Sequence, residues 1–100
     1  MSRLTVVLRY GFERDRVQVL VDGAVVYDRA DVKTRHQIDR ADAVELDVAE
    51  GERLLEVRLA DRGLSRKTPL TVAGNAAVEV SVDRSTGIEV RTAGVDPRDA

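Results

Sequence analysis

The sequence predicts an all-β fold, an immunoglobulin-like two-sheet antiparallel β-sandwich of eight or nine short strands. Apolar residues recur at every second position along most of the chain, which is the period of a half-buried strand. Turn signals separate these segments about every ten residues. Valine leads the apolar residues, and its branched side chain favours pleated surfaces. A closed barrel is the lesser alternative.

The first quarter of the chain predicts a strand, a break and a hairpin. Residues 4–10 alternate between apolar and polar side chains, residues 11–15 interrupt the pattern, and residues 17–21 resume it. Asp22-Gly23 then predicts a type I′ turn, because both central positions of that turn need positive φ. We expect residues 24–28 to form the return strand.

The middle of the chain predicts three further strands. Residues 32–38 alternate weakly and indicate a strand at a sheet edge or crossing between sheets. Residues 44–48 and 55–59 alternate clearly on either side of Glu50-Gly51. A two-residue turn there would form a hairpin with both apolar sets on one face. That hairpin would pair Leu46 with Leu55, Val44 with Val57, and Glu45 with Glu56.

The last third predicts a loop and two hairpins. We expect a loop over residues 61–68, with Pro69 opening the next strand, where a missing N–H costs little. A bulge or three-residue loop at 74–76 would place Val72 opposite Val78. A three-residue loop at 85–87 would place Val82 opposite Val90. The final strand is expected over 88–93, so one domain spans 1–93 and a frayed tail spans 94–100.

Charge and composition exclude several classes of function. The chain has 16 basic and 18 acidic residues and a formal net charge of −2, so it has no field that would attract nucleic acid. The longest apolar run is too short to span a bilayer. The chain has no cysteine, hence no disulfide and no thiolate metal site. Residues 1–20 are too charged for a signal peptide, so we expect a cytoplasmic protein, with an exported domain of a longer precursor left open.

The middle of the chain resembles PEGA-type and carboxypeptidase-regulatory-like modules. The resemblance lies in a strand ending in Val-Asp-Gly over 17–23, a strand, glycine turn and strand over 45–59, and a later strand over 78–82. The Pro-Glu-Gly-Ala-like signature itself is absent, and Asp61-Arg62-Gly63 stands where an aromatic residue often follows. The resemblance implies an immunoglobulin-like sandwich that serves as a non-catalytic accessory or envelope-associated part.

The residue types needed for catalysis are sparse. His36 is the only histidine, and no Gly-x-Ser-x-Gly motif accompanies it. Glu45 and Glu56 would be neighbours on an exposed face, which lacks the apolar surroundings that separate two carboxyl pKa values. The clustered aspartates include interspersed arginines and lack EF-hand spacing. We therefore predict a protein that is not an enzyme, with no catalytic residue, cofactor or metal site.

Two segments are candidate binding surfaces. The predicted 61–68 loop is the most basic surface segment and could contact an acidic partner. Its candidate interaction residues are Arg62, Leu64, Arg66 and Lys67. The three aromatic residues, Tyr10, Phe12 and Tyr27, are the candidate ligand patch, although burial at one end of the core is the alternative for Tyr10 and Phe12.

These observations favour a non-enzymatic protein-interaction or structural module. We expect a protein partner, or self-association by edge strands, because few lysines protect the terminal strands. The alternative function is a small-ligand or carbohydrate-binding module that uses the aromatic residues.

Overall fold

A computed structural model describes residues 2–33, 42–83 and 85–92 of the chain. They form eight β-strands and one 3₁₀ turn, Ala60–Arg62. The strands are β1 (Ser2–Leu8), β2 (Glu13–Val21), β3 (Ala24–Lys33), β4 (Asp42–Val48), β5 (Gly51–Leu59), β6 (Leu64–Val72), β7 (Ala76–Asp83) and β8 (Gly87–Thr92).

The strands form two four-stranded sheets that pack face to face, which confirms the predicted all-β two-sheet sandwich. The first sheet has the order β4-β1-β7-β8 and the second has the order β3-β2-β5-β6. All pairs are antiparallel except β1 and β7, which run parallel with Leu4 beside Ala76 and Leu8 beside Val80. This parallel pair joins the N-terminal strand to the C-terminal half of the chain.

The alternating apolar residues face one another between the sheets, as the period of two predicts. Leu4, Val6 and Leu8 of β1 are fully buried, as are Leu55 and Leu59 of β5. Of the four residues whose burial the pattern most clearly requires, Val19, Leu55 and Val80 are at most 1% exposed. The fourth, Leu46, is partly buried and packs against this core.

The Asp22-Gly23 turn is confirmed by its backbone angles, since φ is 50° at Asp22 and 85° at Gly23. The return strand is longer than predicted and extends to Lys33. Register shifts interrupt the pairing of β2 with β3 at three places, so β3 reaches its length through bulges rather than a regular ladder. Of the strand predicted over 32–38, residues 34–38 lie outside the described residues.

The hairpin predicted around Glu50-Gly51 is wrong. β4 pairs with β1 in the first sheet, whereas β5 pairs with β2 and β6 in the second. The chain therefore crosses between sheets at this point, and φ at Gly51 is 109°. The pairs actually formed are Leu46 with Leu4, Val44 with Val6, Glu45 with Thr5, and Glu56 with both Leu20 and Lys67.

The predicted pairing of Val72 with Val78 is wrong for the same reason. β6 belongs to the second sheet and β7 to the first, so the chain crosses between sheets near Gly74. The last hairpin does form, with a register two residues from the prediction. Val82 lies opposite Ile88, not Val90, because β8 begins at Gly87 and pairs Gly87 with Asp83.

The loop predicted over 61–68 is largely a strand. After the short 3₁₀ turn, Gly63 adopts a left-handed φ of 64° and β6 begins at Leu64. Leu64 pairs with Leu59, and the ladder continues past Pro69. Pro69 therefore lies inside the strand rather than opening it, a position tolerated because β6 is the edge of its sheet. His36 and the tail predicted over 94–100 lie outside the described residues.

Candidate binding surfaces

The outer face of the first sheet contains a groove with a volume of about 400 Å³. It lies where the end of β1 meets β7 and β8. Its lining residues are Arg9, Tyr10, Glu79, Ser81, Asp83, Glu89 and Arg91. Side chains alternate between the two faces of a strand, so Glu79, Ser81 and Asp83 share the face opposite the buried valines of β7.

Backbone pairing places Arg9 and Tyr10 at this groove. These two residues extend the parallel pairing of β1 with β7. The Arg9 N–H donates to the Val80 carbonyl and the Tyr10 carbonyl accepts from the Val82 N–H, both at 2.8 Å. The Arg9 guanidinium lies 3.0 Å from the Glu79 carboxylate and 5.3 Å from the centre of the Tyr10 ring. Its hydrogen bond with the Tyr10 hydroxyl, followed by the charge of Glu79, raises the pKa of Arg9.

The other end of the groove is acidic and partly organised by local hydrogen bonds. Asp83 accepts from the backbone N–H groups of Ser85 and Thr86, and Glu89 accepts from the Thr86 hydroxyl at 3.0 Å. Arg91 lies opposite Glu79 across the ladder. Within residues 2–33, 42–83 and 85–92, no carboxylate lies within ion-pairing distance of Arg91. The groove thus combines the Arg91 guanidinium, which has no carboxylate partner among the described residues, with the Asp83 and Glu89 carboxylates, which hydrogen bonds already orient.

The outer face of the second sheet contains an apolar patch formed by Leu20, Val25, Val26 and Leu54. Leu20 alternates with core residues and faces outward, yet it is only 3% exposed. Val25 lies opposite Leu20, and Val26 is the extra residue of a bulge at this point. Val25, Val26 and Leu54 are 53%, 40% and 39% exposed. Leu20 therefore lies between Val25 on β3 and Glu56 on β5, and the apolar side chains near it remain in contact with water.

Two ion pairs, each with one acidic and one basic side chain, border this apolar patch. Asp22 accepts from the Leu54 backbone N–H at 2.9 Å and from Arg53 at 2.8 Å. The Leu54 hydrogen bond first, and then the Arg53 charge, hold the pKa of Asp22 below its ordinary value. On the other side, Glu56 is 7% exposed and is paired with Arg58. The border therefore carries no dominant charge.

Three of the predicted interaction residues of the 61–68 segment, Arg62, Arg66 and Lys67, are exposed, and the four side chains have different contacts. Arg62 is bonded to the buried carboxylate of Asp15 and to the Gly11 carbonyl. Leu64 is partly buried against the core. Arg66 donates to the Ile88 carbonyl at 3.3 Å, linking the edges of the two sheets. Lys67 is exposed and pairs across the ladder with Glu56, beside the apolar patch.

The three predicted aromatic residues are also separated by the fold. Phe12 is 1% exposed and belongs to the core, so it is not available to an exposed patch. Tyr27 packs partly against the core, and its hydroxyl donates to Asp42 at 2.8 Å. Tyr10 is 47% exposed and lines the groove. The other groove and patch residues are marked in the sequence by one signal only, their outward position in the alternating strands.

The described residues contain no cluster of three or more histidine, cysteine or acidic side chains placed to hold a metal ion. Glu45 and Glu56, considered as a carboxylate pair, lie in different sheets. No helix among the described residues has the length and apolar character needed to cross a membrane.

Comparison with protein-family models, curated proteins and solved structures found no match to this chain. The resemblance to PEGA-type and carboxypeptidase-regulatory-like modules therefore stays a prediction. Any function must be inferred from the two surfaces themselves.

Proposed function

We propose that this chain is a non-enzymatic protein-interaction module whose partner docks on the apolar patch of the second sheet. One observation carries the proposal. Among the described residues, four large hydrophobic side chains are exposed, and three of them, Val25, Val26 and Leu54, lie in this patch around Leu20. A cluster of exposed apolar side chains with a polar border is typical of an interaction site.

We further propose that the occupant is a second copy of this chain. The border of the patch pairs Asp22 with Arg53 and Glu56 with Arg58, so two copies meeting there bring together both signs of charge. The formal net charge of −2 adds little repulsion between copies. A strongly acidic or strongly basic partner would find no complementary field on this surface.

Contact through this face is favoured over pairing of the neighbouring edge strands. The edge strand β3 is interrupted by three register shifts, and the opposite edge strand β6 contains Pro69. Bulges and proline are the devices that discourage strand addition. Self-association by edge strands is the second route and would use β4 or β8, the edges of the first sheet. Contact through the patch is the first route.

The patch is small for a stable interface, which usually buries at least about 1,000 Å² in total. We therefore expect a dimer that forms reversibly as concentration rises. Sedimentation equilibrium would measure a weight-average mass of 11.0 kDa at low concentration. The mass should rise toward twice that value in the high micromolar to millimolar range.

Single-residue variants test whether the dimer forms through the apolar patch or through another surface. Leu54→Arg and Val25→Arg place a charge in the patch and should keep the chain monomeric at every concentration. Tyr10→Ser is the matched control, since Tyr10 is exposed on the other sheet, and it should dimerise like the wild type. A wild-type mass that stays at the monomer value, or dimerisation unchanged by Leu54→Arg, would overturn the proposal.

The non-enzymatic assignment is supported by the sparse catalytic residue types and by the resemblance to accessory modules. We also propose a cytoplasmic setting, supported by a cysteine-free sequence that needs no oxidising compartment to fold. Fractionation of cells expressing the full gene would test that setting, and recovery of the protein outside the cytoplasm would contradict it.

A further inference from the structure

We infer that the groove on the outer face of the first sheet binds a neutral polyhydroxylated ligand, a saccharide unit. This site is separate from the apolar patch and does not depend on it. The chemistry of the lining selects this ligand class. Two guanidinium groups, Arg9 and Arg91, are interleaved with three carboxylates, Glu79, Asp83 and Glu89.

A fully charged ligand fits this lining poorly. An anion drawn to Arg91 would meet the carboxylates of Glu79, directly opposite it, and of Glu89, and a cation drawn to those carboxylates would meet Arg91. A hydroxyl group both donates and accepts, so neighbouring hydroxyls on one sugar ring satisfy carboxylates and guanidinium groups together. The Ser81 hydroxyl between these groups adds a further donor and acceptor.

Tyr10 supplies the apolar contact that such a ligand needs. Its ring is 47% exposed, although the Arg9 guanidinium lies over it at 5.3 Å from the ring centre. An aromatic face has negative character, which attracts the positively polarised C–H groups of a sugar ring. The ring and the polar side chains thus offer one apolar contact beside several polar groups, and such polar groups fix the orientation of a bound small ligand.

Several of the polar groups are already held in place. Glu79 is fixed by Arg9 at 3.0 Å, Asp83 by two backbone N–H groups, and Glu89 by the Thr86 hydroxyl. Held side chains lose less freedom on binding, which favours recognition of a small ligand. Arg91 supplies an ionic donor that no described carboxylate occupies.

The test is a titration of isotope-labelled protein followed by two-dimensional NMR. Glucose, galactose, mannose and their linear trisaccharides are the probes, with free glutamate and lysine as charged comparisons. We expect saturable shifts of the backbone amides of Arg9, Ser81 and Glu89 for at least one saccharide, with a dissociation constant on the order of 1 mM. Glutamate and lysine should produce smaller shifts at equal concentration.

Two variants and a control assign the effect to the groove. Arg91→Ala should weaken binding by about tenfold, as expected for the loss of one charge-assisted hydrogen bond. Tyr10→Ala should weaken it by at least as much. Arg3→Ala removes an exposed arginine from the same sheet, paired with Glu45 away from the groove, and should leave binding unchanged.

Spectral dispersion and the thermal midpoint of each variant would establish that it is folded. No saturable shift with any saccharide in the millimolar range, or tighter binding of a charged probe, would overturn the inference. So would equal binding by Arg91→Ala and the wild type. Leu54→Arg, the variant that tests the proposed function, should bind saccharide normally, so the two proposals can fail separately.

Discussion

The carboxylate of Asp15 accepts two hydrogen bonds from the guanidinium of Arg62, at 2.9 Å from Nε and 2.8 Å from Nη2. The Asp15 side chain is only 4% exposed, and it also accepts from the Glu13 backbone N–H at 2.8 Å. Register shifts of the β2–β3 pair lie on both sides of Asp15. The ion pair therefore links an irregular start of β2 to the 3₁₀ turn that follows β5.

Replacing Arg62 should destabilise the fold strongly, since a buried carboxylate would lose its counter-charge. We expect Arg62→Ala to lower the free energy of unfolding by about 3 kcal/mol, as for other buried pairs that lose one partner. Arg62→Lys should recover part of the loss, because lysine supplies the charge but not the paired geometry. Urea unfolding followed by circular dichroism would measure both changes.

Arg3→Ala is the control for that experiment. Arg3 and Glu45 form an exposed ion pair at 3.5 Å, with side chains 58% and 64% exposed. Exposed ion pairs contribute little to folding stability, so the free energy of unfolding of Arg3→Ala should lie within about 0.5 kcal/mol of the wild-type value. Equal unfolding free energies for Arg62→Ala and Arg3→Ala would contradict a structural role for the Asp15–Arg62 pair.

Gly11 is predicted to tolerate no side chain. A Cβ placed on it would lie 2.0 Å from the Val82 carbonyl oxygen, and its φ is 87°. Gly11→Ala should therefore cost about 3 kcal/mol or more, combining overpacking against a backbone atom with left-handed strain. Gly63→Ala separates these causes, because Gly63 has a φ of 64° and nothing within 4 Å of its added Cβ.

The expected cost at Gly63 is about 1 kcal/mol, from backbone strain alone. Chemical unfolding of both variants measures the difference, and soluble yield gives a second readout if Gly11→Ala does not fold. A Gly11→Ala protein as stable as Gly63→Ala would mean that the β1–β7 junction can open to accept the methyl group.

The period of two predicted which residues face the core, but it could not predict which strands pair. In a hairpin, both strands direct their apolar residues to one side of their sheet. Where the chain crosses between sheets, as it does at Glu50-Gly51, both strands again direct those residues to the core. The two arrangements produce the same alternation, so Leu46 and Leu55 could be identified as core but not assigned to different sheets.

The binding surfaces were predictable only in part for a related reason. Outward positions such as Leu20, Leu54 and Glu79 follow from the alternation. The groove also needs Arg9 beside Glu79, and that contact depends on a parallel pairing between strands about seventy residues apart. No local signal in the sequence indicates that pairing. The burial of Phe12 could not be predicted from the local sequence either, since it depends on how the two sheets pack together.

The charge of Asp22 should stabilise the fold at neutral pH. Asp22→Asn tests this cleanly, since asparagine suits the positive φ of a type I′ turn and can still accept from the Leu54 N–H. In the wild type, the pKa of Asp22 is held below the ordinary value of 3.8, chiefly by the Leu54 hydrogen bond and then by Arg53. A carboxyl whose pKa is lowered by folding adds stability above its unfolded pKa and loses it as pH falls.

We therefore expect the wild type to be more stable than Asp22→Asn at pH 7, with the difference vanishing as the carboxyl is protonated below about pH 4. Thermal midpoints measured across that interval would check the sign. A difference that stays constant through the acid range would show that the Arg53–Asp22 contact adds nothing to stability.

Tyr27 should make the stability of the fold decrease as pH rises, at alkaline pH. Its burial first, and then its hydrogen bond to Asp42, raise the pKa of its hydroxyl well above the ordinary value of 10.0. The folded protein thus keeps the proton when the unfolded chain has lost it. The stabilisation is complete below pH 10 and decreases as pH rises above that value. The Tyr27–Asp42 bond joins β3, an edge strand of the second sheet, to β4, an edge strand of the first, so this titration acts on a link between the two sheets.

Tyr27→Phe removes the hydroxyl and leaves the ring. At pH 7 it should be less stable than the wild type by about 1 kcal/mol, the usual net value of one hydrogen bond. That advantage of the wild type should be unchanged up to about pH 10 and then shrink, so it should be smaller at about pH 11 than at about pH 8, since only the wild type has the Tyr27 hydroxyl to ionise. Urea midpoints that remain separated by the same amount at both ends of this range would contradict a stabilising Tyr27–Asp42 bond that is lost on ionisation.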